Sequence, residues 1–110
     1  MDMVAVKRFD FWLVNLNPTL GSEISKSRPC LVISPDEANK FLNTVIIVPL
    51  TSTIKNYPTR VNCFFEGKTG QLAIDQIRSV DKTRLIKKTG ILEEDICILL
   101  CRIMVETFKF

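Results

Sequence analysis

The chain alternates short apolar runs with polar breaks, the pattern of a protein built from many short strands. Phe9 to Leu16 is aromatic and branched and predicts a first strand, closed by the turn signal Asn17-Pro18. Pro29 to Ser34 is almost wholly apolar, so a strand there is expected to bury both faces. Thr44 to Leu50, Thr59 to Phe65, Gln71 to Asp75 and Ile86 to Leu92 predict four more strands. Between them, Pro35 to Phe41 opens with proline and acids and predicts a short helical turn. Glu66 to Gly70, with two glycines, predicts a turn.

The period then changes. From Glu93 to Phe108 apolar positions recur every three or four residues, with Ile96, Leu99, Leu100, Ile103 and Thr107 on one face, which predicts a terminal helix. Glu93, Glu94 and Asp95 fall in its first turn, where the helix dipole favours negative charge. Cys97, Cys101, Met104 and Val105 widen the apolar stripe. That fits either a helix buried within one chain or one that turns a second face to another subunit. Residues 1–110 are expected to form a single domain: mainly β, a small curved sheet or barrel with a C-terminal α-helix.

Composition adds limits. At 110 residues, 46% of them hydrophobic, the chain can bury a core without disulfides. Its four cysteines, at 30, 63, 97 and 101, form no Cys-x-x-Cys pair, and no histidine accompanies them, so the usual zinc spacings are absent. Buried free thiols in a reducing cytoplasm are expected. The first residues lack a signal-peptide pattern, and the apolar runs Val45 to Leu50 and Ile96 to Cys101 are far shorter than the roughly 20 residues that span a bilayer. A soluble protein is therefore expected. The net charge of +3 is compatible with a polyanionic partner without requiring one.

Candidate chemistry lies in three polar loops, Thr19 to Ser27, Thr51 to Tyr57 and Gln76 to Thr83, which a small barrel would bring to one rim. They supply Glu23, Lys26, Arg28, Thr51, Ser52, Thr53, Lys55, Gln76 and Arg78. Such groups suit recognition of phosphates and bases, and they equally suit an ordinary polar surface. Without histidine, any phosphodiester chemistry must proceed without imidazole. Arg28, ahead of Pro29 and an apolar strand, offers a permanently charged planar fork that matches a phosphate.

Five blocks, in order, resemble the MazF/PemK family of type II toxin–antitoxin toxins. They are Asp10-Phe11-Trp12-Leu13-Val14-Asn15-Leu16-Asn17-Pro18-Thr19, Gly21-Ser22-Glu23, Ser27-Arg28-Pro29-Cys30-Leu31-Val32-Ile33-Ser34-Pro35, Val48-Pro49-Leu50-Thr51-Ser52 and Asp75-Gln76-Ile77-Arg78-Ser79-Val80-Asp81-Lys82. The resemblance implies an SH3-like barrel with a C-terminal helix and a cytoplasmic homodimer. It also implies a metal-independent endoribonuclease that needs no cofactor, cuts single-stranded RNA, and is held by a cognate antitoxin with an acidic tail. Carried over position by position, Arg28 and Thr51 match the family's catalytic pair, and Glu23 and Gln76 match positions near the RNA. Lys26, Thr53 and Lys55 join them as candidate substrate contacts. Asp75 matches an aspartate that serves as general base in one branch, where an arginine precedes it by two residues; this chain has Ala73 there. Phe9 stands where the family usually has glycine.

Each residue also has a plainer reading. Arg28 could pair with Glu23 or Asp36, Thr51 could satisfy backbone at a strand end, and Glu23 could simply hold Arg28. Lys55 and Tyr57 could form a solvated loop tip, Trp12 could be core, and the Lys82, Arg84, Lys87 and Lys88 cluster could be a solvated face. A topoisomerase poison of the CcdB type, acting through protein contacts on the same fold, is the rival function. A catalytically inactive RNA-binding module is a third.

Overall fold

The computed structural model describes residues 5–110. Its elements run β1 (Asp10–Asn15), β2 (Ser27–Val32), α1 (Asp36–Phe41), β3 (Thr44–Thr51), β4 (Arg60–Phe65), β5 (Lys68–Ala73), β6 (Arg78–Asp81), β7 (Leu85–Ile91) and α2 (Glu94–Phe108). All seven strands belong to one antiparallel sheet in the order β4-β5-β3-β2-β1-β7, with β6 branching from β3. β3 makes this possible by changing partners along its length. Its first half pairs with β6, Thr44 opposite Asp81 and Ile47 opposite Arg78, and its end pairs with β5, Thr51 opposite Gln71. The sheet curls into a half-barrel whose end strands, β4 and β7, share no ladder among the described residues.

Side chains alternate along a strand, so a strand with both faces buried feeds two cores. On β2, Leu31 enters one cluster while Cys30 and Val32 enter another; on β3, Val48 and Leu50 oppose Val45 and Ile47 in the same way. This is why these runs are apolar almost without interruption. The first cluster, with Phe11, Val61, Leu72 and Ile74, is the one α2 covers through Cys97 and Leu100.

Three expectations change. Gln76 to Thr83 is not a loop throughout: Arg78–Asp81 forms β6, whose apolar content is the single buried Val80. β5 starts earlier than Gln71, because Glu66 and Gly67 both take positive φ and make a two-residue hairpin with Phe65 opposite Lys68. The buried line on α2 runs through Cys97 and Leu100 with Ile96, Ile103 and Met104 beside it. Leu99 is 39% exposed and Thr107 is exposed, so both lie off that line.

Candidate functional site

The β1–β2 loop is braced from inside. Glu23 accepts a hydrogen bond from the Leu20 amide, and the Glu23 amide donates back to the Leu20 carbonyl, closing a turn. The Ile24 amide donates to Gln76 Oε1 at 3.2 Å, and the Lys26 amide donates to Asn17 Oδ1 at 3.1 Å. Lys26 takes the left-handed conformation, φ 70°, where the loop turns into β2.

Two residues later Arg28 lies half-buried, its Nε donating to the Ser25 carbonyl at 2.8 Å. Among the described residues its terminal NH2 groups have no carboxylate within salt-bridge reach. Both proposed partners are engaged elsewhere, Glu23 on Leu20 and Asp36 on the Arg8 amide. Carrying the Cys30–Pro49 pairing two residues further sets Arg28 opposite Thr51. Both line a cleft of about 420 Å³ with Ser52, Lys68, Thr69 and Gly70 among its walls. Thr51 is buried, and its Oγ1 accepts from the Thr53 amide at 3.1 Å, which leaves its hydroxyl proton available to donate. The backbone packs closely here: a Cβ at Gly70 would stand 3.2 Å from both the Thr51 carbonyl oxygen and Leu50 Cδ1, so a side chain would need its neighbours to give by a few tenths of an ångström.

Glu23 and Gln76 meet at a second cleft, of about 370 Å³, with Ile24, Pro49, Asp75 and Arg78. Beneath the loops, burial pushes the Cys30 thiol up to about 12, although the Arg28 and Arg78 guanidiniums act against that rise. Cys30 therefore stays a protonated thiol at neutral pH. All four cysteines are free thiols.

Thr53 and Lys55 line neither of these clefts. They stand exposed on the β3–β4 loop, which is tied down by two residues sequence reasoning missed, Arg60 and Gln71. Arg60 pairs with Asp75 at 2.8 Å with its side chain only 7% exposed, and in the β4–β5 register it sits directly across from Ala73. A guanidinium therefore reaches Asp75 from the neighbouring strand. Partial burial acts to raise the Asp75 carboxyl, but hydrogen bonds from Arg60 and Thr59 outweigh it and hold the group below its ordinary value. The partners are fifteen residues apart, so only the ladder reveals the pair. Lys68 was equally hidden, because its place in the cleft depends on the Glu66-Gly67 hairpin. Of the basic cluster, Lys82 donates to the Asn39 carbonyl, Arg84 to the Asn15 and Asn17 carbonyls, and Lys88 pairs with Asp10 at 3.4 Å. Those three brace the fold. Trp12 is core.

The family model described as a PemK-like, MazF-like toxin of type II toxin–antitoxin system matches residues 7–106. This chain belongs to that family. Among PemK/MazF-like proteins, it is 36% identical over 96 residues to "Endoribonuclease EndoA" of Bacillus subtilis (strain 168), covering 82% of this chain and 83% of the relative. A crystal structure of MazF from Deinococcus radiodurans superposes with a TM-score of 0.86 at 24% identity, covering 98% of this chain and 100% of that one. An endoribonuclease from Mycobacterial species, in complex with its cognate antitoxin, superposes with a TM-score of 0.78 at 21% identity, covering 93% of each. These structural likenesses concern the fold; the PemK/MazF family assignment rests on the sequence match.

Proposed function

We propose that this chain is a sequence-selective, metal-independent endoribonuclease, the toxin of a toxin–antitoxin pair, cutting single-stranded RNA. The single observation that carries the reading is Arg28: a half-buried guanidinium beside Thr51 in one cleft, its NH2 groups without a carboxylate partner among the described residues. RNA supplies its own nucleophile. The 2′-OH gives up its proton and attacks phosphorus, the P–O2′ bond forms, the P–O5′ bond breaks, and the leaving 5′ oxygen takes up a proton, so none is gained or lost overall. The products are a 2′,3′-cyclic phosphate and a 5′-OH. Arg28 would bind two non-bridging oxygens as charge grows on them, and Thr51 would donate to the same phosphate and fix its orientation. Glu23, Lys26, Thr53, Lys55 and Gln76 would contact flanking nucleotides.

The working form is a cytoplasmic homodimer restrained by an antitoxin with an acidic tail. Four free thiols suit a reducing compartment, and no helix among the described residues is long and apolar enough to cross a membrane. Ile98, Leu99, Val105 and Phe108 are exposed on α2 and offer apolar surface for a second copy. Sedimentation at micromolar concentration tests the dimer.

The deciding assay incubates the protein with long single-stranded RNA in excess EDTA, beside Arg28→Ala. Cleavage by wild type alone, leaving cyclic-phosphate ends, is expected. Equal cleavage by both would remove the role given to Arg28, and intact RNA with loss of gyrase activity would favour the topoisomerase poison.

A further inference from the structure

The β3–β4 loop is held at two points. Gln71 is 4% exposed, and its amide grips the Lys55 backbone twice: Oε1 accepts from the Lys55 amide at 3.0 Å, and Nε2 donates to the Lys55 carbonyl at 3.1 Å. The same Nε2 donates to Asn62 Oδ1 at 2.9 Å, which fixes the orientation of the amide. Arg60 holds the second point, with Nη1 3.3 Å from the Thr53 carbonyl and 3.4 Å from Gln71 Oε1. Its guanidinium also lies over the Tyr57 ring, 5.2 Å from the centroid.

Arg60 is itself aimed by a fork–fork contact with Asp75, Nε to Oδ1 at 2.8 Å and Nη2 to Oδ2 at 3.2 Å, while Thr59 donates to Oδ1. Asp75 stands on a 3-10 turn, Ile74–Gln76, whose last residue, Gln76, accepts from the Ile24 amide in the β1–β2 loop. One short turn therefore braces both loops that flank Arg28 and Thr51.

We propose that Arg60, aimed by Asp75 and acting with Gln71, is a positioning residue that fixes the β3–β4 loop and so sets which RNA sites are accepted. This rests on the ribonuclease reading above. Asp75 has both carboxylate oxygens occupied by Arg60, and its place is that of an anchor. A loop held at Thr53 and Lys55 presents the side chains of Thr53, Lys55 and Tyr57 in one arrangement, so little ordering remains to be done when RNA arrives. Released, the loop samples many arrangements, and binding weakens and loses selectivity while Arg28 and Thr51 keep their places on strands.

Two readouts on the full chain test this, with Gln71→Leu alongside Arg60→Ala in case the latter fails to fold. Trypsin cleavage after Lys55, followed by mass spectrometry, is expected to quicken about tenfold in either variant as the local hold is lost. With long single-stranded RNA, KM is expected to rise about tenfold while kcat at the best site stays within about threefold, since misplaced contacts are lost without touching the reacting phosphate. The spectrum of sites cut in a random RNA pool should broaden. A Lys55 bond as resistant as in wild type would overturn the hold. A freed loop with unchanged KM and unchanged sites would overturn its role in recognition, as would a fall in kcat alone. If wild type cuts no RNA, the functional reading fails, and the trypsin comparison still judges the hold by itself.

Discussion

A guanidinium set half-buried with no carboxylate beside it loses hydration and gains no ion pair, an arrangement that makes sense when an anion completes it. Among the described residues Arg28 is in that position, and the difference between arginine and lysine there is informative. Lysine keeps the charge but not the two-point fork, so Arg28→Lys is expected to retain a small part of the activity, and Arg28→Ala to lose about 10²- to 10³-fold in kcat on RNA, the scale of removing a transition-state donor. Wild-type activity in Arg28→Lys would mean that the fork is irrelevant.

Phe9 carries a second residue-scale lesson. It takes φ 70°, the left-handed region, where a side chain is strained and glycine is not. A glycine there, as the family resemblance implies, would carry no such strain, while here the ring packs on the first core cluster and stacks against Arg8. Truncating the ring in two ways separates the effects. Phe9→Gly should be more stable than Phe9→Ala by about 1 kcal/mol in urea unfolding, reversing the usual preference for alanine.

At the scale of elements, strands were legible where apolar character was dense and lost where it was sparse. β2 and β3 announced themselves because each feeds two cores. β6 did not, since only Val80 of its four residues is buried and the other three are polar or charged. The helix was legible as a helix but not in phase: both Leu99 and Leu100 fit an apolar stripe, and only the packing decides between them. Leu100 is fully buried, so Leu100→Ala is expected to cost about 2–5 kcal/mol, and Leu99→Ala less than about 1 kcal/mol. Chemical denaturation of the two variants checks the phase. The Arg60–Asp75 tie between β4 and the turn after β5 has its own signature. Asp75 is held below its ordinary carboxylate value, so its contribution is complete above the unfolded value and disappears as pH falls through the folded one. The stability gap between wild type and Asp75→Asn should therefore be constant at neutral pH and close below about pH 4.

At the scale of the molecule, the half-barrel gathers what the chain disperses. Five blocks in order sufficed to place the family; Arg28 and Thr51 stand in two of those contiguous motifs, and the fold brings both to one cleft. Lys68, Arg60 and Gln71 enter through ladder partners and a hairpin, which no contiguous motif encodes. The gathering also concentrates charge that the overall balance of +3 hides: Lys82, Arg84 and Lys88 are spent on internal contacts, while Arg28 and Lys68 line one cleft and Arg78 the next. RNA binding by such a surface releases counterions, with a slope in log–log salt plots of about −0.7 for each phosphate neutralised on a single strand. If Arg28, Lys68 and Lys55 each engage one phosphate, KM should rise roughly tenfold to twentyfold between 50 and 200 mM salt. Lys68→Ala should make that slope shallower by about 0.7 while leaving kcat near wild type, since it would bind the strand without touching the reacting oxygens. A variant whose slope equals that of wild type would place Lys68 outside the path of the RNA.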